Sequence, residues 1–158
     1  MLSNAIDGST FGGDNYTSNV VNKPRSAYDK AGGMAYFPRM LDKIRLFADD
    51  QLHPDFHPNL GKGADGWCCD FLRVAYPDLR VRVLAGGTDE QVLEWCFTTG
   101  RRLNEIDLRV WNAYITKLGW NDDVTPTLNK RKVESGLADR DDIVTMPEYF
   151  EVDEGRKA

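Results

Sequence analysis

Residues 88–119, TDEQVLEWCFTTGRRLNEIDLRVWNAYITKLG, decide the fold. Thr88 with Gln91 three positions later is a capping box, which opens a helix by satisfying its first backbone donors. Val92, Leu93, Cys96 and Phe97 fall on one face of that helix, with Trp95 at the edge, and Gly100 stands where a C′ glycine is expected. Asn104 is the next cap, and Asp107 at N3 suits the positive end of the helix dipole. Leu103 and Leu108 are spaced for a hydrophobic staple. Ile106, Val110, Trp111, Tyr114, Ile115 and Leu118 predict a wide buried face, and Gly119 ends it. Two helices with both ends marked, joined by a few residues, point to an all-α chain.

The flanks extend the pattern. Phe37, Met40, Leu41, Ile44, Phe47 and Ala48 predict a helix over about 38–52. Arg39, Asp42, Lys43, Arg45, Asp49 and Asp50 fall on its polar side, with Arg39–Asp42 and Arg45–Asp49 spaced as surface pairs. Leu46 interrupts that side. A second helix is predicted from Asp65, as N-cap, to Ala75, with Trp67, Cys68, Phe71, Leu72, Val74 and Ala75 as its apolar arc. Pro77 opens a short helix through Leu84, and Gly86-Gly87 stops it. Thr125-Pro126 opens another that stops at Gly136. Thr145 and Glu148 form a second capping box, with Tyr149, Phe150 and Val152 behind it. No segment sustains period-2 alternation, so no strand is predicted. The expectation is a single domain over 25–158, of six or seven short helices with short loops. Residues 1–24, rich in Gly, Ser, Asn and Thr, read as a flexible arm. The alternative is a strap over the core through Phe11, Tyr16 and Val20-Val21.

Composition bounds the function classes. The 158 residues, 41% hydrophobic, suit one core. A formal charge of −5 is a poor match for non-specific nucleic-acid binding, so no nucleic-acid partner is expected. No stretch approaches the roughly 20 apolar residues of a membrane span, and the N-terminus has no signal-peptide pattern. Three cysteines, two of them adjacent, are no disulfide framework, and a cytoplasmic location is expected.

Several stretches carry a resemblance: YFPRMLDKIR (36–45), HPNLGKGADGWCCDFL (57–72), GGTDEQVLEWCFTTGRR (86–102), VWNAY around Trp111-Asn112, and DRDDIVTMPEYFEVDEGR (139–156). In this order they resemble a family of small bacterial proteins catalogued as domain of unknown function 5069, over roughly residues 30–156. The resemblance implies a self-contained, mostly cytosolic domain. It implies no reaction, cofactor or catalytic residues.

Within GKGADG (61–66) the string G-x-G-x-x-G invites a nucleotide reading. A dinucleotide fold needs a strand before those glycines and an acid about 20 residues later. His57-Pro58-Asn59-Leu60 is no strand, and residues 80–86 hold no acid. The loop therefore reads as a glycine-rich lead-in to a helix. Exposed N–H groups there, with Lys62 upstream, suit an anion, although an Asp65 cap competes for the same donors.

Cys69 falls outside the apolar arc, near a helix start and four residues before Arg73. That is the setting of a low-pKa thiol, and His57 upstream makes a Cys–His pair conceivable. The competing reading is a small buried hydrophobe. His53 and His57 have a metal-like interval, but Pro54 and Pro58 spoil it and the C-C spacing is no zinc knuckle. Neither metal nor cofactor is expected. Trp67, Trp95 and Trp111 read as core, and Trp120 as partly exposed.

Two functions stay open. The first is a small-molecule or anion-binding protein, or an enzyme, with its site around HPNLGKGADGWCC. Cys69 and His57 are then the catalytic candidates, and Arg39, Lys43, Lys62, Asp65 and Arg73 the ligand-binding ones. The alternative is a non-catalytic protein-interaction or assembly module meeting a partner through Leu46, Trp120 and the acidic tail. An oligomer fits either.

Overall fold

The computed structural model describes residues 23–158, so the arm and strap readings of the N-terminal segment fall almost wholly outside the described residues. Those residues begin with a small hairpin, β1 (Lys30–Ala31) and β2 (Met34–Ala35), which pairs Lys30 with Ala35 and Ala31 with Met34. Two-residue strands are too short to show an alternation, which is why the sequence does not reveal them. The helices follow: α1 (Phe37–Ala48), a 3-10 helix (Pro54–Asn59), α2 (Ala64–Leu72), α3 (Tyr76–Leu84), α4 (Asp89–Thr99), α5 (Glu105–Thr116), α6 (Thr125–Glu134) and α7 (Met146–Asp153). The all-α expectation holds, with the hairpin as its one addition among the described residues. No helix among them is long and apolar enough to cross a membrane.

The core forms around α1. Phe37, Met40, Leu41 and Ile44 are at most 2% exposed, and each contributes about 1.5–3 kcal/mol by leaving water. They meet Cys68, Leu72, Leu79, Val83, Val92, Leu93, Cys96, Trp111 and Ile115 in one cluster. Hairpin and helix α5 are riveted together. The Trp111 indole Nε1 donates to Ala35 O (2.8 Å), Asn112 Nδ2 donates to Gly33 O (2.8 Å), and Ala35 N donates to Asn112 Oδ1 (2.9 Å).

The cap residues of α4, α5 and α7 are where the sequence places them. Thr88 and Gln91 exchange both capping bonds, as do Asn104 and Asp107. Thr145 accepts from Glu148 N (3.1 Å), but the Glu148 carboxylate turns to Lys157, so this box is half made. Thr88→Ala is expected to cost about 1 kcal/mol and lower Tm by roughly 2–4 °C, measurable by thermal unfolding.

Burial departs from the helical wheel in three places. On α1, Arg39 and Lys43 are buried rather than solvated, and Phe47 is 41% exposed. Asp42 pairs with Arg25 and Arg45 with Asp89, so the expected pairs within the helix give way to partners elsewhere in the chain. On α5, only Trp111 and Ile115 are buried, while Ile106, Val110 and Tyr114 face outward. The rivet to the hairpin sets that rotation. On α2, the helix starts at Ala64, so Asp65 lies inside its first turn and is 0% exposed. Trp67 is 38% exposed rather than core, and Trp120 is exposed as expected.

Candidate functional site

Tyr36, Arg39 and Lys43 are three and four residues apart, so they occupy one narrow arc of α1. Tyr36 is its N-cap and has a left-handed backbone, φ 74 and ψ −26. A bulky residue there costs of order 1–3 kcal/mol and persists only when its surroundings over-determine it. The Trp111 and Asn112 bonds to the preceding residues supply that constraint, and Tyr36 is itself only 3% exposed.

The constraint aims the Tyr36 hydroxyl at Asp65, to whose Oδ1 it donates at 2.7 Å. Lys43 Nζ donates to the same oxygen at 3.0 Å and lies 3.4 Å from the Tyr36 hydroxyl. Gly61 N donates to the other oxygen, Oδ2, at 3.1 Å. The first glycine of GKGADG thus serves a carboxylate of the chain itself. The bond also shows why Asp65 is no N-cap: its oxygens are spent on Tyr36, Lys43 and the loop. Burial pushes the Tyr36 phenol well up, and the Asp65 charge adds to the effect. Burial pulls Lys43 below the ordinary lysine value, and Asp65 only partly restores it.

One helical turn before Lys43, Arg39 meets Glu154 at the end of α7. Nη1 donates to Oε1 (2.9 Å) and Nη2 to Oε2 (2.6 Å), a bidentate pair with side chains 2% and 7% exposed. Burial opposes both charges, but each partner outweighs it, so Arg39 is raised and Glu154 lowered. Arg39 also lies 4.4 Å from the centre of the Phe150 ring. A guanidinium has five N–H donors. Nη1 spends its second on Arg25 O (3.0 Å). The Nε–H is buried and has no acceptor among the described residues. An orphaned buried donor is uncommon and asks for a reason.

Above these groups lies a cleft of about 980 Å³. Tyr36, Arg39, Lys43 and Glu154 are its buried wall, and Lys62, Lys130 and Arg131 stand among its other lining residues. The structure thus brings Arg39, Lys43 and Lys62 to one cleft, with Asp65 directly behind Lys43. Arg73 is not part of it: α2 ends at Leu72, and Arg73 is the exposed left-handed C-cap. His57 does not line it either. His57 donates through Nε2 to Leu52 O (3.0 Å) and packs edge-on to Phe47. Among the described residues no group of three or more His, Cys, Asp or Glu side chains is placed to hold a metal ion.

Of the two readings of Cys69, the small buried hydrophobe is the one its burial fits. Its side chain is in the core, with Sγ 4.0 Å from Met40 Sδ, and burial pushes the thiol up to about 12. Cys96 is pushed to about 12 for the same reason, and Cys68 well above its ordinary value. Thiolate is the reactive form. A maleimide at neutral pH is therefore expected to label none of the three in the native protein and all three after denaturation, read by intact mass.

Tyr36 and Glu154 are the residues that sequence reasoning missed. A left-handed tyrosine has no local signal, and an acid near the chain end reads as solvated tail. The site is assembled from stretches distant in the chain: 36–45, 57–72, 111–112 and 139–156. These are four of the five stretches that carry the family resemblance; 86–102 is the fifth. Neither the curated proteins nor the solved structures contain a match. The family model described as Domain of unknown function (DUF5069) matches residues 21–156, which hold every residue of this cleft named above, and the chain belongs to that family.

Proposed function

We propose that the cleft binds a small organic molecule through an anionic group, a carboxylate or a phosphate. One observation carries the reading: Arg39, buried in the cleft wall and already paired with Glu154, keeps an Nε–H with no acceptor among the described residues. A ligand oxygen accepting that hydrogen removes an unsatisfied buried donor, worth about 1–3 kcal/mol. Lys43 adds a second buried cation one turn away, and Lys62, Lys130 and Arg131 add a basic rim. Cleft size supports a metabolite-sized ligand, since such sites span about 300–1,000 Å³.

Thermal unfolding with pyruvate, citrate, inorganic phosphate and a sugar phosphate tests the reading. At least one is expected to raise Tm saturably; at 100 times its Kd the gain is about 2.7 kcal/mol. Arg39→Lys keeps the charge beside Glu154 but loses the planar fork, and is expected to abolish the ligand-induced shift. Lys62→Ala, on the rim, is expected to weaken binding several-fold without lowering the Tm of the free protein. No saturable shift with any of the four, or an undiminished shift in Arg39→Lys, overturns the reading.

An assembly module is the second reading. The outward stripe Ile106, Val110 and Tyr114 on α5, 58%, 55% and 44% exposed, is what favours it. There, Val110→Asp is expected to change the elution volume on size exclusion, and an unchanged profile removes that support.

A further inference from the structure

We propose that Lys43 is a covalent amine: it forms an imine with the carbonyl carbon of a short 2-oxo acid whose carboxylate is held at Arg39. The inference rests on the anion-binding reading and names the class of molecule and what happens to it.

Geometry carries the argument. Lys43 is one of two buried amines among the described residues, and the other, Lys132, donates to two backbone carbonyls, Arg140 O and Ile143 O, outside the cleft lining. Lys43 instead meets two side-chain groups able to exchange protons, the Asp65 carboxylate and the Tyr36 hydroxyl. It lines the cleft beside Arg39, four residues earlier on the same helix face, where side chains are neighbours. A molecule with a carboxylate next to a ketone matches a guanidinium next to an amine. Amines of this kind add to carbonyls when burial makes the neutral form accessible, and burial acts on Lys43 in that direction.

The step balances without an outside reagent. Lys43 passes a proton from Nζ to Asp65 Oδ1, and its lone pair attacks the ketone carbon. The C–N bond forms, and the carbonyl π pair moves to oxygen, which takes the proton of the Tyr36 hydroxyl. Tyr36 recovers its proton from Nζ. The carbinolamine hydroxyl then takes the proton held by Asp65 and leaves as water, while the nitrogen lone pair closes the C=N bond. An ammonium and a ketone become a protonated imine and one water, with nothing oxidised or reduced.

Borohydride trapping decides the matter. The full chain is incubated with pyruvate and sodium cyanoborohydride, and the products are read by intact mass and peptide mapping. One reduced adduct per chain at Lys43 is expected, forming at least tenfold faster than at the exposed amine of Lys130. Lys43→Arg keeps a cation beside Asp65 and is expected to lose this adduct alone, with its circular dichroism unchanged. Tyr36→Phe removes the proton donor and is expected to slow adduct formation on the order of 10²-fold, while the pyruvate-induced Tm shift remains. Labelling spread over exposed lysines, with none favoured at Lys43, overturns the proposal. A pyruvate Tm shift without an adduct overturns the imine and leaves anion binding standing. If uncharged acetone labels Lys43 as fast as pyruvate does, the 2-oxo acid assignment and the anion reading fall together.

Discussion

Gly100→Ala is expected to leave little folded protein. The end of α4 passes so close to the end of α2 that a Cβ at Gly100 would sit 2.0 Å from Leu72 O and 2.7 Å from Arg73 O. Neither side can give way cheaply. Leu72 O accepts from Arg101 N at 2.9 Å, and Phe71 O accepts from Arg101 Nε at 2.8 Å. The α2 side is pinned as well, because Arg73 is left-handed (φ 61) and Val74 N bonds back to Cys69 O. Relief requires parting two backbones rather than turning a side chain. We expect a loss above ~4 kcal/mol, the size reserved for broken cores and buried charges, against a total stability of about 5–15 kcal/mol. Gly136→Ala is the matched control. Its φ of +72 strains an alanine, but nothing lies within 4 Å of the new Cβ, so about 1–2 kcal/mol is expected. Denaturant midpoints for the two variants test this. Equal losses would mean that crowding at Gly100 is absent in solution.

Gly100 also shows what a sequence conveys and what it withholds. The glycine marks the end of α4, as predicted, but its backbone is φ −103 and ψ −95, not the left-handed C′ form. Glycine is required there for space, and the neighbour that takes the space, Leu72, is 28 residues away. The same division runs through the molecule. Thr88 with Gln91, and Asn104 with Asp107, satisfy donors three residues off, so their chemistry is legible locally. Arg39 is not legible, because its partner Glu154 is 115 residues distant; three charges on one helical turn read as a solvated face until that partner is known. Lys43 is hidden in the same way behind Asp65, 22 residues on. Arg39, Lys43, Lys62 and Asp65 could be named as candidates from residue type and from the irregular segment nearby. Tyr36 could not, since its placement depends on a hairpin held by Asn112 and Trp111 of α5. Cys69 has the helical position of a reactive thiol, but its helix packs it against Met40, 29 residues away, and burial pushes the thiol up.

Asp65→Ala is expected to be the other severe lesion. Asp65 is wholly buried and accepts from Tyr36, Lys43 and Gly61 N. Its removal leaves an ammonium with no counter-charge, and breaking one side of a buried pair costs about 3–5 kcal/mol. The double variant Lys43→Met with Asp65→Leu removes both charges and fills the space with apolar atoms. It is expected to recover part of that loss: the unpaired charge is gone, while the Tyr36 hydroxyl and Gly61 N lose their acceptor. A double-mutant cycle on unfolding free energies measures the difference, and a double variant as weak as Asp65→Ala would refute it. The pH arm has a defined sign. Between the lowered native value of Lys43 and its ordinary 10.5, the unfolded chain binds more protons than the native one, so the lysine makes stability rise with pH. Lys43→Met is expected to flatten that rise, read as the difference between parent and variant so that the buried thiols of Cys68, Cys69 and Cys96, which oppose it above their ordinary 9.0, cancel. Lys43→Met also strips Asp65 of its ammonium, so the double variant Lys43→Met with Asp65→Leu is titrated beside it, and a rise lost in both belongs to the amine. A pair that two apolar residues replace at small cost to the fold is poorly explained by stability. If the double variant folds with only that small loss and no longer takes up pyruvate, the buried charges of Lys43 and Asp65 are there for the cleft.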